Sequence, residues 1–205
     1  MIDANRAAQV NVSRETLDRL TVFVDLLAKW NPRINLVSRK SMADVWERHI
    51  ADSVHVFRVA PVARSWLDLG SGGGFPGLVV AILAAEENPE AKITLIESDQ
   101  RKAAFLRTVS RETGISCTVI SDRIEAVLPQ QADVLSARAL ADLTDLLKFV
   151  ERHLAFGGTA LFPKGVTWEK EVAAAQRQWR FDVEPTNSLT KSGAAILKIT
   201  GVTRV

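Results

Sequence analysis

Between two apolar runs the chain reads Asp68-Leu69-Gly70-Ser71-Gly72-Gly73-Gly74-Phe75-Pro76-Gly77, with glycine at four of the five positions from 70 to 74. Such a density of glycine is costly inside a strand or helix, so it implies a tight turn at which backbone approaches a ligand. Pro76 suits the first turn of a following helix, whose positive end then points at the turn. Gly72, Gly74 and Gly77 also satisfy the dinucleotide fingerprint, and Glu97 follows Gly77 by twenty residues, where an acid at the end of a strand binds ribose hydroxyls. The chemistry this supports is nucleotide binding by main chain, with Asp68, Gly72 and Gly74 as turn formers. No metal motif and no paired-carboxylate signature is visible, and His49, His55 and His153 stand without an evident catalytic partner.

Positioning such a turn requires a strand before it and a helix after it, and the pattern supplies both. Strands are expected at Ser65 to Leu69, Lys92 to Glu97, Cys117 to Ile120, Asp133 to Ser136 and Gly158 to Phe162. Helices are expected between them, from about Pro76 to Glu86, Ser98 to Thr113, Ala139 to Phe156 and Thr167 to Trp179. Strands alternating with helices mean an α/β fold with a parallel, doubly wound sheet. Arg180 to Val183 and Ala194 to Thr200 read as strands with no helix between them, hence a closing antiparallel hairpin. Upstream, Ser13 can cap a helix carrying Leu17, Leu20, Val24, Leu27 and Trp30 on one stripe, ended by Asn31-Pro32. A second helix from about Ser41 to Phe57 completes a small N-terminal lobe. The expected division is 1–62 for the lobe with its basic connector and 63–205 for the sheet domain.

The 205 residues are 47% hydrophobic and 24% charged, the profile of an ordinary globular chain with one sizeable core. One Cys excludes an internal disulfide or a thiolate cluster, and the polar start around Asp3 lacks the order of a signal peptide. The longest apolar run, Leu78 to Ala85, is far short of a bilayer span. A cytoplasmic protein with no membrane partner is expected. The net charge of +2 divides unevenly: residues 1–66 hold ten Lys/Arg against seven Asp/Glu, and the rest hold sixteen against seventeen. Arg33, Arg39 and Lys40 lie in a basic segment from Lys29 to Lys40 that has no acid until Asp44, a solvated connector or a phosphate-contacting strip. Arg101, Lys102, Arg107 and Arg111 on the helix after the second strand could extend it.

Asp-x-Gly-x-Gly-x-Gly from Asp68 to Gly74 resembles the S-adenosylmethionine loop of class I methyltransferases. The absence of Tyr removes the Tyr-Lys pair of short-chain dehydrogenases. Pyrimidine C5 methylation needs a Cys nucleophile, but Cys117 lies in an apolar strand; the fourth strand runs into Ser136-Ala137-Arg138-Ala139, unlike the Asn/Asp-Pro-Pro-Tyr/Phe pattern of adenine amine methylation. A ring nitrogen such as guanine N7 already presents a lone pair, so its methylation asks for positioning and no general base.

Several further runs carry a closer resemblance: Asn35-Leu36-Val37-Ser38, Trp46-Glu47-Arg48-His49-Ile50-Ala51-Asp52-Ser53, Phe75-Pro76-Gly77, Ile96-Glu97-Ser98-Asp99, Arg101-Lys102-Ala103-Ala104-Phe105-Leu106, Arg123-Ile124-Glu125, Ser136-Ala137-Arg138-Ala139 and Pro163-Lys164-Gly165. Across roughly residues 20–165 the chain is similar to the RsmG (also called GidB) family of 16S ribosomal RNA guanine-N7 methyltransferases. The resemblance implies an α/β, class I methyltransferase fold that is Rossmann-like, with a mostly parallel sheet, a closing antiparallel hairpin and a small helical lobe in front. It implies S-adenosyl-L-methionine as cofactor, held at Gly70, Phe75, Ile124, Glu125 and Arg138, and a target guanine in the decoding region of 16S ribosomal RNA or the small ribosomal subunit. Glu97 is the expected ribose partner, with Asp99 as its competitor. Arg138, a cation at the end of the fourth strand, would repel both a sulfonium and a forming methylguanine, so it is expected to face the methionine carboxylate or an RNA phosphate. Lys164 joins Arg33, Arg39 and Lys40 as an expected RNA contact, and with Arg138 as possible support for transfer. A monomer is expected. The competing readings are a small-molecule methyltransferase on the same core, a nicotinamide-dependent oxidoreductase and a non-catalytic nucleic-acid-binding module.

Overall fold

A computed structural model of the chain describes residues 10–205, so the polar start around Asp3 lies outside the described residues. Strands β1 (Ser65–Leu69), β2 (Lys92–Ile96), β3 (Thr118–Ile120), β4 (Ala132–Ala137), β5 (Leu154–Lys164), β6 (Trp179–Asn187) and β7 (Ala195–Arg204) form one sheet in the order β3-β2-β1-β4-β5-β7-β6. Strands β3, β2, β1, β4 and β5 are mutually parallel, and β7 lies antiparallel between β5 and β6. The parallel sheet and the closing hairpin are therefore as the alternating pattern predicts.

Both faces of the sheet are covered, which explains why its strands are apolar on both sides. In β1, Trp66 joins a core built with α1 (Arg14–Ile34), α4 (Gly77–Glu87) and α5 (Gln100–Thr113). Its neighbours Leu67 and Leu69 join the opposite core, with α6 (Leu143–His153) and α7 (Trp168–Ala175). The helix after the glycine turn, α4, is buried at every position from Gly77 to Ala84, as befits a helix that is apolar all round. Leu20, Phe23 and Leu27 of α1 pack into the same core as Leu78, Ile82 and Phe105, so the N-terminal helices share the sheet's core.

Several element boundaries differ from expectation: the helix expected to reach Phe156 ends at His153 and β5 begins at Leu154, the helix expected to reach Trp179 ends at Ala175, and three further differences have a local reason. Ser13 caps α1 as predicted, its Oγ accepting from the Thr16 N–H at 3.1 Å. The helix nevertheless runs through Pro32 to Ile34, and the left-handed Asn35 (φ +49°) ends it. Asn31 makes this possible: its backbone oxygen accepts from Asn35 N–H, while its Oδ1 accepts from the N–H groups of Leu36 and Val37. The expected single helix over Ser41 to Phe57 is divided into α2 (Arg39–Ala43), a π-helical turn (Trp46–Ile50) and α3 (Ala51–Val59). Ser53 donates its hydroxyl to the His49 carbonyl at 2.6 Å across that junction. The helix expected from Ala139 starts only at Leu143, because Asp142 caps it through the Asp145 N–H and Ala139 is left-handed (φ +53°). Among the described residues, no helix is long and apolar enough to cross a membrane.

Candidate functional site

A cleft of about 990 Å³ opens at the carboxyl ends of β1, β2 and β4. There β1 has β2 on one side and β4 on the other, the crevice where open α/β sheets bind ligands. Gly70, Gly72, Phe75, Glu97, Ile124, Glu125 and Arg138 all line it. Asp68 and Gly74 do not: Asp68 is buried in β1, and Gly74 sits within the turn against Leu78. A Cβ on Gly72 (φ +52°) would meet nothing of the protein nearer than the Gly70 oxygen at 3.6 Å, so the turn keeps that place open. At Gly77 the opposite holds: a Cβ would fall 2.5 Å from both Asp68 Oδ2 and Leu95 Cδ2, so glycine lets α4 dock directly on the ends of β1 and β2.

Glu97 is a buried strut of the cleft wall. Its Oε2 accepts from the Gly72 N–H and its Oε1 from the Asp99 N–H, both at 2.8 Å. Asp99, the other acid of that run, instead caps α5, accepting from the N–H groups of Arg101 and Lys102, and it does not line the cleft. Asp68 is fully buried and accepts from Ser136 Oγ at 2.6 Å, which itself accepts from Trp66 Nε1. Burial pushes the Asp68 carboxyl up to about 6, against the opposing pull of Ser136, Ser71, Arg138 and the Gly77 N–H.

The loop carrying Ile124 and Glu125 has no regular structure of its own and is held by the end of α6. His153 Nε2 lies 3.1 Å from the Ile124 oxygen, and Arg152 donates twice to the Val127 oxygen. Arg138 sits over the Phe75 ring, 5.1 Å from its centroid, and its Nη1 meets His49 Nδ1 at 2.7 Å. His49 in turn stacks on Phe75 with centroids 4.9 Å apart. Burial, with the charges of Arg138 and Arg48, lowers the His49 pKa to about 4, so at neutral pH a neutral imidazole accepts from the guanidinium. Burial also lowers the Arg138 pKa to about 10, which leaves it charged.

The residues expected at RNA fall into two groups. Arg33 is exposed on the last turn of α1 and Arg39 and Lys40 are exposed on α2, so the expected connector is helical at all three cations and only residues 35–38 link the two helices. Lys164 is not: its ammonium donates to the Ala141 oxygen and Glu171 Oε2, and only 9% of its side chain is exposed. It ties the loop after β4 to α7 instead of facing solvent. On α5, Arg101 pairs with Asp99, Arg107 donates to the Val119 oxygen and Arg111 pairs with Glu112, while Lys102 lines the cleft. Cys117 precedes β3 and is half-buried.

Sequence reasoning missed a second cleft of about 1000 Å³ on the far side of Arg138. The N-terminal helices supply Ser38, Ser41, Asp44, Arg48, His49 and Asp52, and the β6–β7 loop supplies Leu189, Thr190 and Lys191. Leu36, Arg138 and Ala139 belong to both clefts. The spacing of His49 and Asp52, three apart on a helix, is the one signal that could have joined them.

Comparison with known proteins agrees with this geometry. The family model described as GidB, rRNA small subunit methyltransferase G, matches residues 16–200. A protein named ribosomal RNA small subunit methyltransferase G from Ruegeria pomeroyi is 63% identical over 203 residues, covering 99% of this chain and 98% of its own. One of the same name from Cereibacter sphaeroides is 50% identical over the full length of both chains. Among solved structures, a SAM-dependent methyltransferase from Aquifex aeolicus matches with a TM-score of 0.60 at 12% identity, over 85% of this chain and 98% of that one. A methyltransferase from Geobacter sulfurreducens matches with 0.57 at 10% identity, over 88% of each. These two share the class I methyltransferase fold. The chain belongs to the GidB family, the rRNA small subunit methyltransferases G.

Proposed function

We propose that this protein transfers a methyl group from S-adenosylmethionine to N7 of a guanine in the decoding region of 16S ribosomal RNA, with the cofactor seated in the first cleft. The observation that carries this reading is the convergence of a glycine turn, a buried acid and a cation on one crevice at the sheet's switch point. The donor set suits an adenosyl cofactor. The place left open at Gly72 admits a ligand against main chain, Glu97 presents acceptors to ribose hydroxyls, and Ile124 offers an apolar wall for a base. Arg138 gives a carboxylate a partner. When bound, S-adenosylmethionine supplies a methyl group made electrophilic by its sulfonium.

What the chain contributes is aim. Guanine N7 needs no proton removed before it attacks, and among the described residues that line the first cleft there is no histidine. His49, just beyond, has its Nδ1 occupied by Arg138. Asp68 supports the turn from behind, so we assign it and Gly74 to shaping the site. The exposed Arg33, Arg39 and Lys40 are assigned to RNA phosphates; Lys164, turned inward, is assigned to holding the loop that follows Arg138. In this reading residues 1–62 are the RNA-meeting lobe, 63–205 the transferase domain, and the enzyme acts in the cytoplasm as a monomer on the small subunit or its RNA.

Mapping N7-methylguanine in ribosomal RNA from cells with and without the gene tests this. The expected result is one mark lost on deletion and restored by the purified protein with S-adenosylmethionine. RNA binding without transfer would indicate a non-catalytic module, and transfer to small molecules only would indicate the small-molecule class. Uptake of NADH with none of S-adenosylmethionine would overturn the reading altogether.

A further inference from the structure

We propose that the second cleft receives the target guanine itself, and that Asp52 reads its Watson–Crick edge and stabilises the charge that forms on it; this rests on the function proposed above. The cleft shares Leu36, Arg138 and Ala139 with the first, so a base lodged there borders the proposed cofactor seat directly. Its rim is continuous with the basic segment. Leu36, Val37, Ser38 and Ser41 line the cleft, and the exposed Arg33, Arg39 and Lys40 belong to the same stretch of chain. A nucleotide whose flanking phosphates lie on that stretch is thereby delivered to this opening.

Among the described residues three carboxylates line the cleft: Glu47 is exposed, Asp44 lies 3.9 Å from Arg48, and Asp52 is the one that a hydrogen bond fixes to the opposite wall. Asp52 Oδ1 accepts from Thr190 Oγ1 at 2.6 Å, which ties the β6–β7 loop to α3 and closes the far wall. Its Oδ2 meets no donor among the described residues. A carboxylate held this way suits a partner with two adjacent N–H donors. Guanine has them in N1–H and the 2-amino group; adenine, cytosine and uracil do not present that pair.

The same contact favours transfer. The N7 lone pair forms the new N–C bond as the C–S bond breaks and its electron pair stays on sulfur. No proton leaves, so the positive charge passes from the sulfonium to the purine ring. A carboxylate fixed on the opposite edge therefore binds the transition state more tightly than the neutral base. It also offsets Arg138, whose guanidinium already feels the Asp52 charge.

The test is a cycle between enzyme and base. Methyl transfer is measured with wild type and Asp52→Asn on small-subunit RNA carrying guanine, or inosine (which lacks the 2-amino group), at the target position. The wild type is expected to lose about 10- to 100-fold in kcat/KM on inosine. Asp52→Asn is expected to lose about as much on guanine, largely in kcat, to distinguish the two bases little, and to take up S-adenosylmethionine normally. Asp52→Ser provides the same comparison if the amide variant does not fold. A variant that keeps the wild-type preference for guanine over inosine would overturn the assignment of Asp52, while transfer by the wild type to guanine RNA would leave the parent reading standing. No transfer by the wild type to either RNA would overturn both.

Discussion

The first cleft is built around a turn of main chain, Gly70 to Gly73, with the loop through Ile124 beside it, whereas the second is assembled from helices, the segment between α1 and α2 and a distant hairpin loop. They meet at Arg138, which stacks on Phe75 of one and hydrogen-bonds His49 of the other. A turn of main chain demands glycine and a strand-turn-helix frame, both written in consecutive residues. A cleft assembled from distant elements demands only that Asp52 and Thr190, far apart in sequence, be brought within 2.6 Å.

Arg138 is where the contrast breaks down, and replacing it should have the largest effect. Arg138→Ala removes the partner of His49 and the cation above Phe75, so both cofactor affinity and transfer are expected to fall, with kcat/KM down about 100-fold. Arg138→Lys keeps the charge without the planar stack and should recover only part of the loss. Equilibrium binding of S-adenosylmethionine and methyl transfer, measured separately, check this. Both unchanged would mean that the residue serves neither cleft.

The same contrast explains how much of the molecule was legible. The parallel sheet follows from alternation of apolar runs and helices, and Gly72 and Glu97 from the turn and strand that frame the first cleft, whereas Gly70, Phe75, Ile124, Glu125 and Arg138 are implied by the family resemblance; the sheet gathers all seven on one edge. The direction of a side chain is another matter. Lys164 advertises a charge, but its inward turn depends on the Ala141 carbonyl and on Glu171 from α7. Pro32 reads as a helix stop, yet Asn31 satisfies the main chain beyond it through a side-chain oxygen. His49 reads as one more residue of an apolar stripe; the π-helical turn places it against Phe75.

Next in size is Gly77→Ala, which sharpens the main-chain side of the comparison. Its methyl group would overlap Asp68 Oδ2 and Leu95 Cδ2, and forcing a group into such a packed junction costs about 1–3 kcal/mol. Urea unfolding should show that loss together with weaker cofactor uptake. A variant as stable as the wild type would mean that α4 can shift off the sheet without disturbing the turn.

Lys164 and the cations of the basic segment separate structure from RNA contact. Lys164→Met leaves Glu171 without its ammonium partner in a half-buried place, so stability should fall by about 1–2 kcal/mol while the salt dependence of RNA binding stays as it was. Neutral replacement of Arg33, Arg39 and Lys40 together should do the reverse, leaving unfolding unchanged and reducing the log–log salt slope by about 2. A slope that moves with Lys164 and not with the other three cations would exchange their assigned roles.

The smallest effect compares Asp68, behind the first cleft, with His49, beside the second. Asp68 titrates near 3.8 when unfolded and about 6 when folded, so across that window the folded state holds the extra proton and stability declines as pH rises. His49 titrates near 6.5 when unfolded and about 4 when folded, so the unfolded state holds the extra proton and stability increases as pH rises. Between roughly pH 4 and 6 the two slopes oppose each other, and the pair should contribute almost no net pH dependence. Asp68→Asn removes one of them. Its stability relative to wild type should then climb with pH across that interval, by at most about 1.4 kcal/mol per unit, whereas His49→Gln should decline relative to wild type. Urea unfolding of all three proteins at several pH values measures this, and parallel curves would mean that neither burial shifts its group by the amount the geometry implies.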